Sequence, residues 1–495
     1  MRAALPLLVL ATLSCGPRPG DEKVGRGVLV IVVDALRADH VGACGYDRAT
    51  TPYLDGLAAQ GTLFTQAFTP APEVLPAHAA ILAGSDPMLA RRIPLGEPSR
   101  GTPVSDWYVP DDLPRLPRQL LAGGFATAAF TDHPAIAPVC GFGAGFQEFS
   151  GFLSDRAPNA TELGSQAVTT KCLNWLSGID RAQNWFAYLQ IDDLERLWSR
   201  PDASQDTFFE PRPELAAIPP VSEEERVFFA LPRPRWTGGT RSLAQCETRY
   251  DGELQSVDRN LGRFFEGLKR IGRWADTTIV VVGAYGVGFG ESGVIADSGT
   301  FSDCDLHVPV IVRPRAGVEH AAHVSTSALF SLVDLAPTLL AIEGVEVPHG
   351  MRGVSHADAL RGKPGTPREI AFAAGGMQGG FAAIDARFCY EESSPGSLEQ
   401  DAVSPLSRSW YGDDRDHRKD VRRFLHERIA HPAAGHLGAG AEDATETARL
   451  SAAGTAYYAW IEKARAILQA GPEGLSRADR AVVEELRRSG LLAAE

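Results

Sequence analysis

After its first residues, this 495-residue chain contains no run approaching the roughly 20 consecutive apolar residues of a membrane-spanning helix. It is also short of positive charge: 48 Lys and Arg stand against 62 Asp and Glu, for a net charge of −14. Such a chain offers no basic stripe to a phosphate backbone or to anionic lipid, which excludes nucleic acid as a partner. Its seven cysteines include no pair with the close spacing of a zinc site. Disorder is excluded by a hydrophobic content of 44%. The length suits one large domain with a smaller one, because single cores split beyond roughly 250 to 300 residues.

Arg2, the apolar run Ala3 to Leu13, Ser14 and Cys15 read as a short secretory signal, too brief to span a bilayer. The end of that run resembles a bacterial lipobox, which implies lipidation at Cys15. Thr12 and Leu13 depart from the usual lipobox order, so plain cleavage stays open. The expected location is exported, in a bacterial-type cell envelope, with the membrane reached only through that anchor. Cys44, Cys140, Cys172, Cys246, Cys304 and Cys389 remain. An exported location permits disulfides among them, but buried thiols are the expected state for most.

Val28 to Asp34 is a continuous β-branched run ending in a carboxylate, the pattern of a central parallel strand whose tip faces a site. Thr51 is expected to cap a helix with Pro52 at its first position, and Gly61 follows its last turn. Helical spacing over Leu113 to Leu121 and Ala167 to Leu176 alternates with strand-like runs at Ala126 to Thr131 and Trp185 to Ile191, as in a doubly wound α/β fold. From Cys246 to Ile271, Leu254, Val257, Leu261, Phe264, Phe265 and Leu268 recur at three and four, giving a long amphipathic helix. It leads into strands at Thr277 to Val282 and Val308 to Val312. Arg196 to Thr240 reads as a solvated loop insertion. Beyond it, short strands near Ile370 to Ala374 and Ala382 to Tyr390 and two terminal helices make a smaller α+β subdomain. The domain expectation is a signal over 1–15, a large α/β domain over 26–362 carrying the insertion at 196–240, and a C-terminal subdomain over 363–495.

Two stretches carry a family's phrasing, "VLVIVVDALRADHVGACGYDRATTPYLDGLAAQGTLFTQAFTPAPEVLPAHAAILAG" and "TTIVVVGAYGVGFGESG". They resemble the metal and nucleophile segments of the sulfatase branch of the alkaline phosphatase superfamily. "SLVDLAPTLLAIEGVEVPHGMRGVSHADALRG" resembles the closing segment of that family's large domain, and the likeness runs from about Gly27 to Gly362. It implies an alkaline-phosphatase-like fold, a doubly wound, mostly parallel central sheet flanked by helices.

The resemblance also locates what is missing. Ester hydrolysis of this kind needs an attacking group and cations on the equatorial oxygens, and Ca²⁺ or Mg²⁺ requires about six oxygen ligands or more. Asp34 matches the first metal carboxylate and survives as a vestigial ligand. Ala35, Ala284 and Tyr285 stand at lost ligand positions, a register set by Gly286, Gly290 and Glu291. Val74, two residues before Pro76, stands where the family has a formylglycine-forming Cys or a Ser, and Val cannot attack. His78 holds the place of the residue that orients the nucleophile; with that partner gone, a local hydrogen bond near a helix start is its expected role. Gln190 and Glu195 stand where a His protonates the leaving group, and Glu195 becomes a general acid only if burial raises its pKa. Asp192 and Asp193 beside it read as a solvated turn. Asp297 falls at a sulfate-gripping position, where a carboxylate repels the anion.

Two readings follow. One is an exported sulfatase-like pseudoenzyme that needs no cofactor and binds an unknown ligand or protein through its former cleft. The alternative is an active sulfuric- or phosphoric-ester hydrolase with a non-standard centre built on Asp34, His78, Glu195 and Thr300, holding a divalent metal such as Ca²⁺ or Mg²⁺. Whether the chain is an enzyme is left open at this point.

Overall fold

The computed structural model describes residues 24–89, 91–92, 107–111, 113–151, 164–197, 243–289, 301–320, 324–363, 365, 368–375, 380–392, 423–427 and 444–470. Cys15, the 198–242 stretch, Gly290, Glu291, Asp297, Thr300 and the last of the two expected terminal helices lie outside them.

Seven residues with no polar side chain, Gly27–Val33, form strand β1, and every one is buried. That is possible only in the middle of a sheet covered on both faces. β1 lies between β7 (Trp185–Ile191) and β8 (Thr277–Gly283), equally buried and parallel to it. β2 (Thr62–Phe68), β5 (Ala126–Phe130), β6 (Glu148–Ser150), β9 (Val310–Arg313) and β10 (Val324–Ser331) complete an eight-stranded sheet in the order β10-β2-β9-β8-β1-β7-β5-β6. β9 runs antiparallel to both its neighbours. A two-residue pair, β3 (Arg91–Arg92) with β4 (Trp107–Tyr108), stands apart.

Helices α1 (Pro52–Ala58), α2 (Val74–Ala83), α3 (Leu116–Ala122), α4 (Ser165–Gly178), α5 (Asp193–Arg196), α6 (Leu243–Arg270) and α7 (Leu335–Glu343) flank the sheet. α6 is the long amphipathic helix expected from its spacing. Leu254, Val257, Leu261, Phe264, Phe265 and Leu268 are all buried, each contributing roughly 1.5 to 3 kcal/mol of apolar burial. The same helix reaches across to cap α1. Asp258 Oδ2 and Oδ1 accept from the Tyr53 and Leu54 amides at 3.0 and 2.9 Å. This corrects the expected Thr51 side-chain cap. The Thr51 hydroxyl donates instead to Asp55 at 3.0 Å and accepts from the Gly42 amide at 2.8 Å, so the first amides of α1 are satisfied by a carboxylate more than 200 residues away in sequence.

A second sheet is antiparallel, in the order β11 (Ala371–Ala374), β12 (Phe381–Ile384), β13 (Phe388–Glu392), β14 (Arg423–Glu427). Helix α8 (Ala444–Ala470) packs on it, with Leu450 and Ile461 buried against Phe381 and Tyr390. α8 is tied to the large sheet's side by the Tyr457 hydroxyl, which donates to Asp86, and by the Arg352 guanidinium stacked over Trp460.

Register decides what meets at the sheet's C-terminal edge. Val33 is paired with Ile191 on one side and Gly283 on the other. Asp34, Asp192 and Ala284 therefore follow at the tips of three adjacent parallel strands, where α/β folds hold ligands.

Candidate functional site

Asp34 is wholly buried, and both its oxygens are bonded. His78 Nε2 lies 2.7 Å from Oδ1, and Gln190 Nε2 donates to Oδ2 at 2.7 Å. α2 supplies His78 one turn after its start at Val74. His78 Nδ1 is 2.6 Å from the Tyr188 hydroxyl, an oxygen on the same strand and the same face as Gln190. Nε2–H donates to Asp34, and Nδ1 pairs with the Tyr188 hydroxyl, so both ring nitrogens are satisfied. Burial, then the nearby Asp34 charge, pushes the Tyr188 phenol well above its ordinary range, which keeps it a donor. Gln190 extends the chain of bonds, its Oε1 accepting from the Asp132 and His133 amides at 2.7 and 2.9 Å. His78 thus has two partners distant in sequence, Tyr188 and Asp34, and the expectation of a merely local hydrogen bond is corrected.

The turn after β7 is not solvated either. Asp192 is 2% exposed. Burial, reinforced by the Asp34 charge, pushes its carboxyl well above the usual carboxylate range, and Arg196 offsets only part of that. Asp193 accepts from the Ser165 amide at 2.7 Å, satisfying the start of α4. Arg196 pairs with Asp132 and stands 3.8 Å from both Asp192 and Asp193. Glu195, on α5, is half-buried within this group. Arg196 is the cation around which Asp132, Asp192 and Asp193 gather.

A second buried network holds the chain just past Asp34. Ala35 adopts the left-handed region at φ 56°, and its carbonyl accepts from the Tyr250 hydroxyl at 2.7 Å. That hydroxyl accepts from the Arg37 amide at 3.0 Å. His40, Tyr46 and Arg48 converge on Asp251 of α6, each at 2.7 Å. These side chains tie the loop after β1 to α6.

Among the described residues, the positions expected to hold a divalent ion do not offer its shell of oxygens. Ala35 and Ala284 offer no side-chain oxygen, and both are buried with Tyr285 in the main hydrophobic core. Asp34's oxygens accept from His78 and Gln190. Among the described residues no group of three or more His, Cys, Asp and Glu is placed to hold a metal. Val74 is half-buried at the first turn of α2, packed against the same core, and Ala77 is fully buried. Gly286 fixes the neighbouring register by close approach, since a Cβ there would fall 1.8 Å from the Cys304 carbonyl oxygen. The six cysteines from Cys44 to Cys389 are buried, and none is disulfide-linked.

Sequence reasoning reached Asp34, His78, Gln190 and Glu195 but missed Tyr188, Asp132, His133 and Arg196. For Tyr188 a signal existed. Tyr188 and Gln190, two apart in an otherwise apolar strand, must point to one face near its tip.

The sheet order and the position of the site at the strand tips define a fold of the alkaline-phosphatase-like α/β class. Residues 26–345, well over half the chain, match the family model described as Sulfatase, and the chain belongs to the sulfatase family. It is similar to arylsulfatase A of Bos taurus, 25% identical over 409 residues that cover 76% of each chain. A shorter stretch is 33% identical to N-acetylglucosamine-6-O-sulfatase of Bacteroides thetaiotaomicron over 120 residues, 24% of this chain and 21% of that one; the match spans about a fifth of that relative's length. Among solved structures, a phosphonate monoester hydrolase from Silicibacter pomeroyi superposes with a TM-score of 0.60 at 21% identity, covering 88% of this chain and 94% of the other. A 2-O GAG sulfatase gives 0.62 at 14% identity, covering 92% and 96%. At such identities the structural likeness carries the fold alone. No helix among the described residues is long and apolar enough to cross a membrane.

Proposed function

We propose that this chain is an exported sulfatase-family pseudoenzyme that binds a ligand or protein partner through the former cleft and needs no metal cofactor. The observation that carries the reading is the closed set of bonds on Asp34. A carboxylate that would require a cation is served instead by two side-chain donors, His78 and Gln190, and the positions that would complete a metal site are apolar and buried. Without an attacking group at Val74 or a cation, the electrostatic terms that supply most of the rate enhancement are missing. The test is metal analysis of the purified protein, paired with assays on aryl sulfates, phosphodiesters and phosphonate esters. Stoichiometric Ca²⁺, Mg²⁺, Mn²⁺ or Zn²⁺, or turnover that Asp34→Ala abolishes, overturns the reading.

Export and anchoring at Cys15 belong to the same proposal and rest on the N-terminal pattern. Fractionation of Cys15→Ala against wild type checks them, since loss of membrane association is expected only if Cys15 is lipidated. One observation favours the alternative of an active hydrolase. Burial and then the Asp34 charge push the Asp192 carboxyl well above the usual range, the direction a general acid needs. Turnover lost in both Asp192→Asn and Asp34→Ala would select that alternative.

A further inference from the structure

The edge of the large sheet opposite Asp34 is where the chain enters it. The Gly25 amide donates to the Arg181 carbonyl at 2.8 Å, and the register that pairs Gly27 with Trp185 and Thr277 brings the starts of β1, β7 and β8 together. β9 runs the other way, so its last residue, Arg313, lands at the same edge, opposite Ile279. No run of the sequence is basic here, yet these segments collect Arg181, Lys269, Arg270, Arg273 and Arg313. Carboxylates stand among them. Glu343 serves Arg26 and Arg315 at 3.7 and 3.2 Å, Glu266 serves Lys269 at 2.7 Å, and Asp180 and Asp276 lie in the adjoining turns. Arg273 and Arg313 have only neutral partners. Arg273 Nη2 donates to the Ile179 and Asp180 carbonyls at 3.2 and 3.1 Å. Arg313 Nη1 donates to the Trp274 and Thr277 carbonyls at 3.1 and 3.2 Å, with its guanidinium 4.2 Å from the centre of the Trp274 ring. Burial pulls both below the usual arginine range, and for Arg273 the Arg181 charge adds to it, as for cations held without a counter-ion. Arg181 and Arg270 are exposed beside them.

We propose that this edge of the sheet is a membrane-docking face that seats on anionic phospholipid headgroups. The inference rests on the proposed lipid anchor at Cys15. The described residues begin at Val24, and the stretch from Cys15 to Val24 reaches at most roughly 30 Å when fully extended, so the anchor tethers the protein at this edge. β1 alone sets Asp34 roughly 23 Å farther away. Headgroup phosphates are the planar-fork acceptors that arginine suits. The chain as a whole carries a net charge of −14, so an anionic surface repels it in other orientations, and the attraction acts only within about a Debye length. The cations therefore have to lie on the face that the tether brings in, and the strand tips carrying Asp34 then face away from the bilayer.

The test is co-sedimentation of the full chain carrying Cys15→Ala, which holds no lipid, with vesicles of phosphatidylcholine alone and of phosphatidylcholine mixed with phosphatidylglycerol. Binding to phosphatidylcholine alone measures what the apolar run Ala3 to Leu13 contributes, so the ratio between the two vesicles reads the charge. The mixed vesicles are expected to bind about tenfold more tightly at low salt, with the preference lost at high salt. Arg181→Glu/Arg270→Glu, both at exposed positions, is expected to abolish the preference, while Arg387→Glu, in the exposed turn between β12 and β13, keeps it. Equal binding to the two vesicles, or a preference that survives Arg181→Glu/Arg270→Glu, overturns the docking face. Mass spectrometry of the wild-type protein reads the anchor separately: an unmodified Cys15 overturns the anchoring reading, while the vesicle ratio alone decides the docking face. The comparison of vesicles in the Cys15→Ala background decides the matter even where the double reversal fails to fold.

Discussion

His78 Nε2 stands 2.7 Å from Asp34 Oδ1, with both side chains fully out of solvent. The contact joins the first helix turn after Val74 to the tip of the central strand, so a histidine does structurally what a cation would otherwise be needed for. Removing it should strand a buried carboxylate. His78→Ala is expected to lower the unfolding free energy by about 3 kcal/mol, measured by urea denaturation. In Asp34→Asn/His78→Ala the second change should cost markedly less than it does alone, because the charge it would strand is gone. Equal costs in the two backgrounds would deny the coupling.

A ligand bound only to the folded state stabilises it, so stripping a structural metal lowers a melting temperature. On the pseudoenzyme reading EDTA is expected to leave Tm unchanged, since among the described residues no group of three or more His, Cys, Asp and Glu is placed to hold a metal. A fall of several degrees on chelation, restored by Ca²⁺ or Mg²⁺, contradicts this.

On the pseudoenzyme reading, an attacking oxygen placed at position 74 should not by itself create chemistry. Val74→Ser places a hydroxyl at the start of α2, but no cation would neutralise the equatorial oxygens. Hydrolysis of aryl sulfates and phosphodiesters is expected to stay at the background rate, and clear turnover above buffer would show a working centre.

Asp258 links stability to pH. Burial pushes its carboxyl up to about 7, while its bonds to the Tyr53 and Leu54 amides pull the other way. Its folded pKa stands above the unfolded value of 3.8, so the native state holds the proton more tightly. The stability contributed is full below the unfolded value and is lost as pH rises through about 7. Asp258→Asn, which keeps an acceptor for the α1 amides, should lack this decline when unfolding is compared at several pH values between 4 and 7. Asp258→Ala should cost about 1 kcal/mol as a lost cap.

Ala35 holds φ 56° where a Cβ is unwelcome. Ala35→Gly is expected to stabilise the chain by about 0.5 to 1 kcal/mol, the left-handed penalty outweighing the added freedom of the unfolded chain. A drop in Tm would mean that the methyl's burial in the core matters more.

Much of the architecture could be read in one dimension because periodicity reports burial. The all-apolar run of β1 and the three-and-four spacing of α6 each state which faces are covered. The helix cap could not be read this way. Thr51 has the residue type and position of a cap, yet the acceptor that served came from Asp258 across the packing interface. The same holds for Asp192 and Asp193, whose polar run looks solvated until α5 folds them inward.

The sequence by itself determined the family's frame, the strand that carries Asp34, and the side chains Val74, Ala35 and Ala284 at the positions expected to attack or hold an ion, because residue identity alone decides whether an oxygen or a nucleophile exists there. Only the tertiary structure decided what became of the carboxylate left behind. Hydrogen-bond partners are set by three-dimensional distance, and the segments that bring His78, Tyr188 and Gln190 to Asp34 lie 44 to 156 residues apart in the chain.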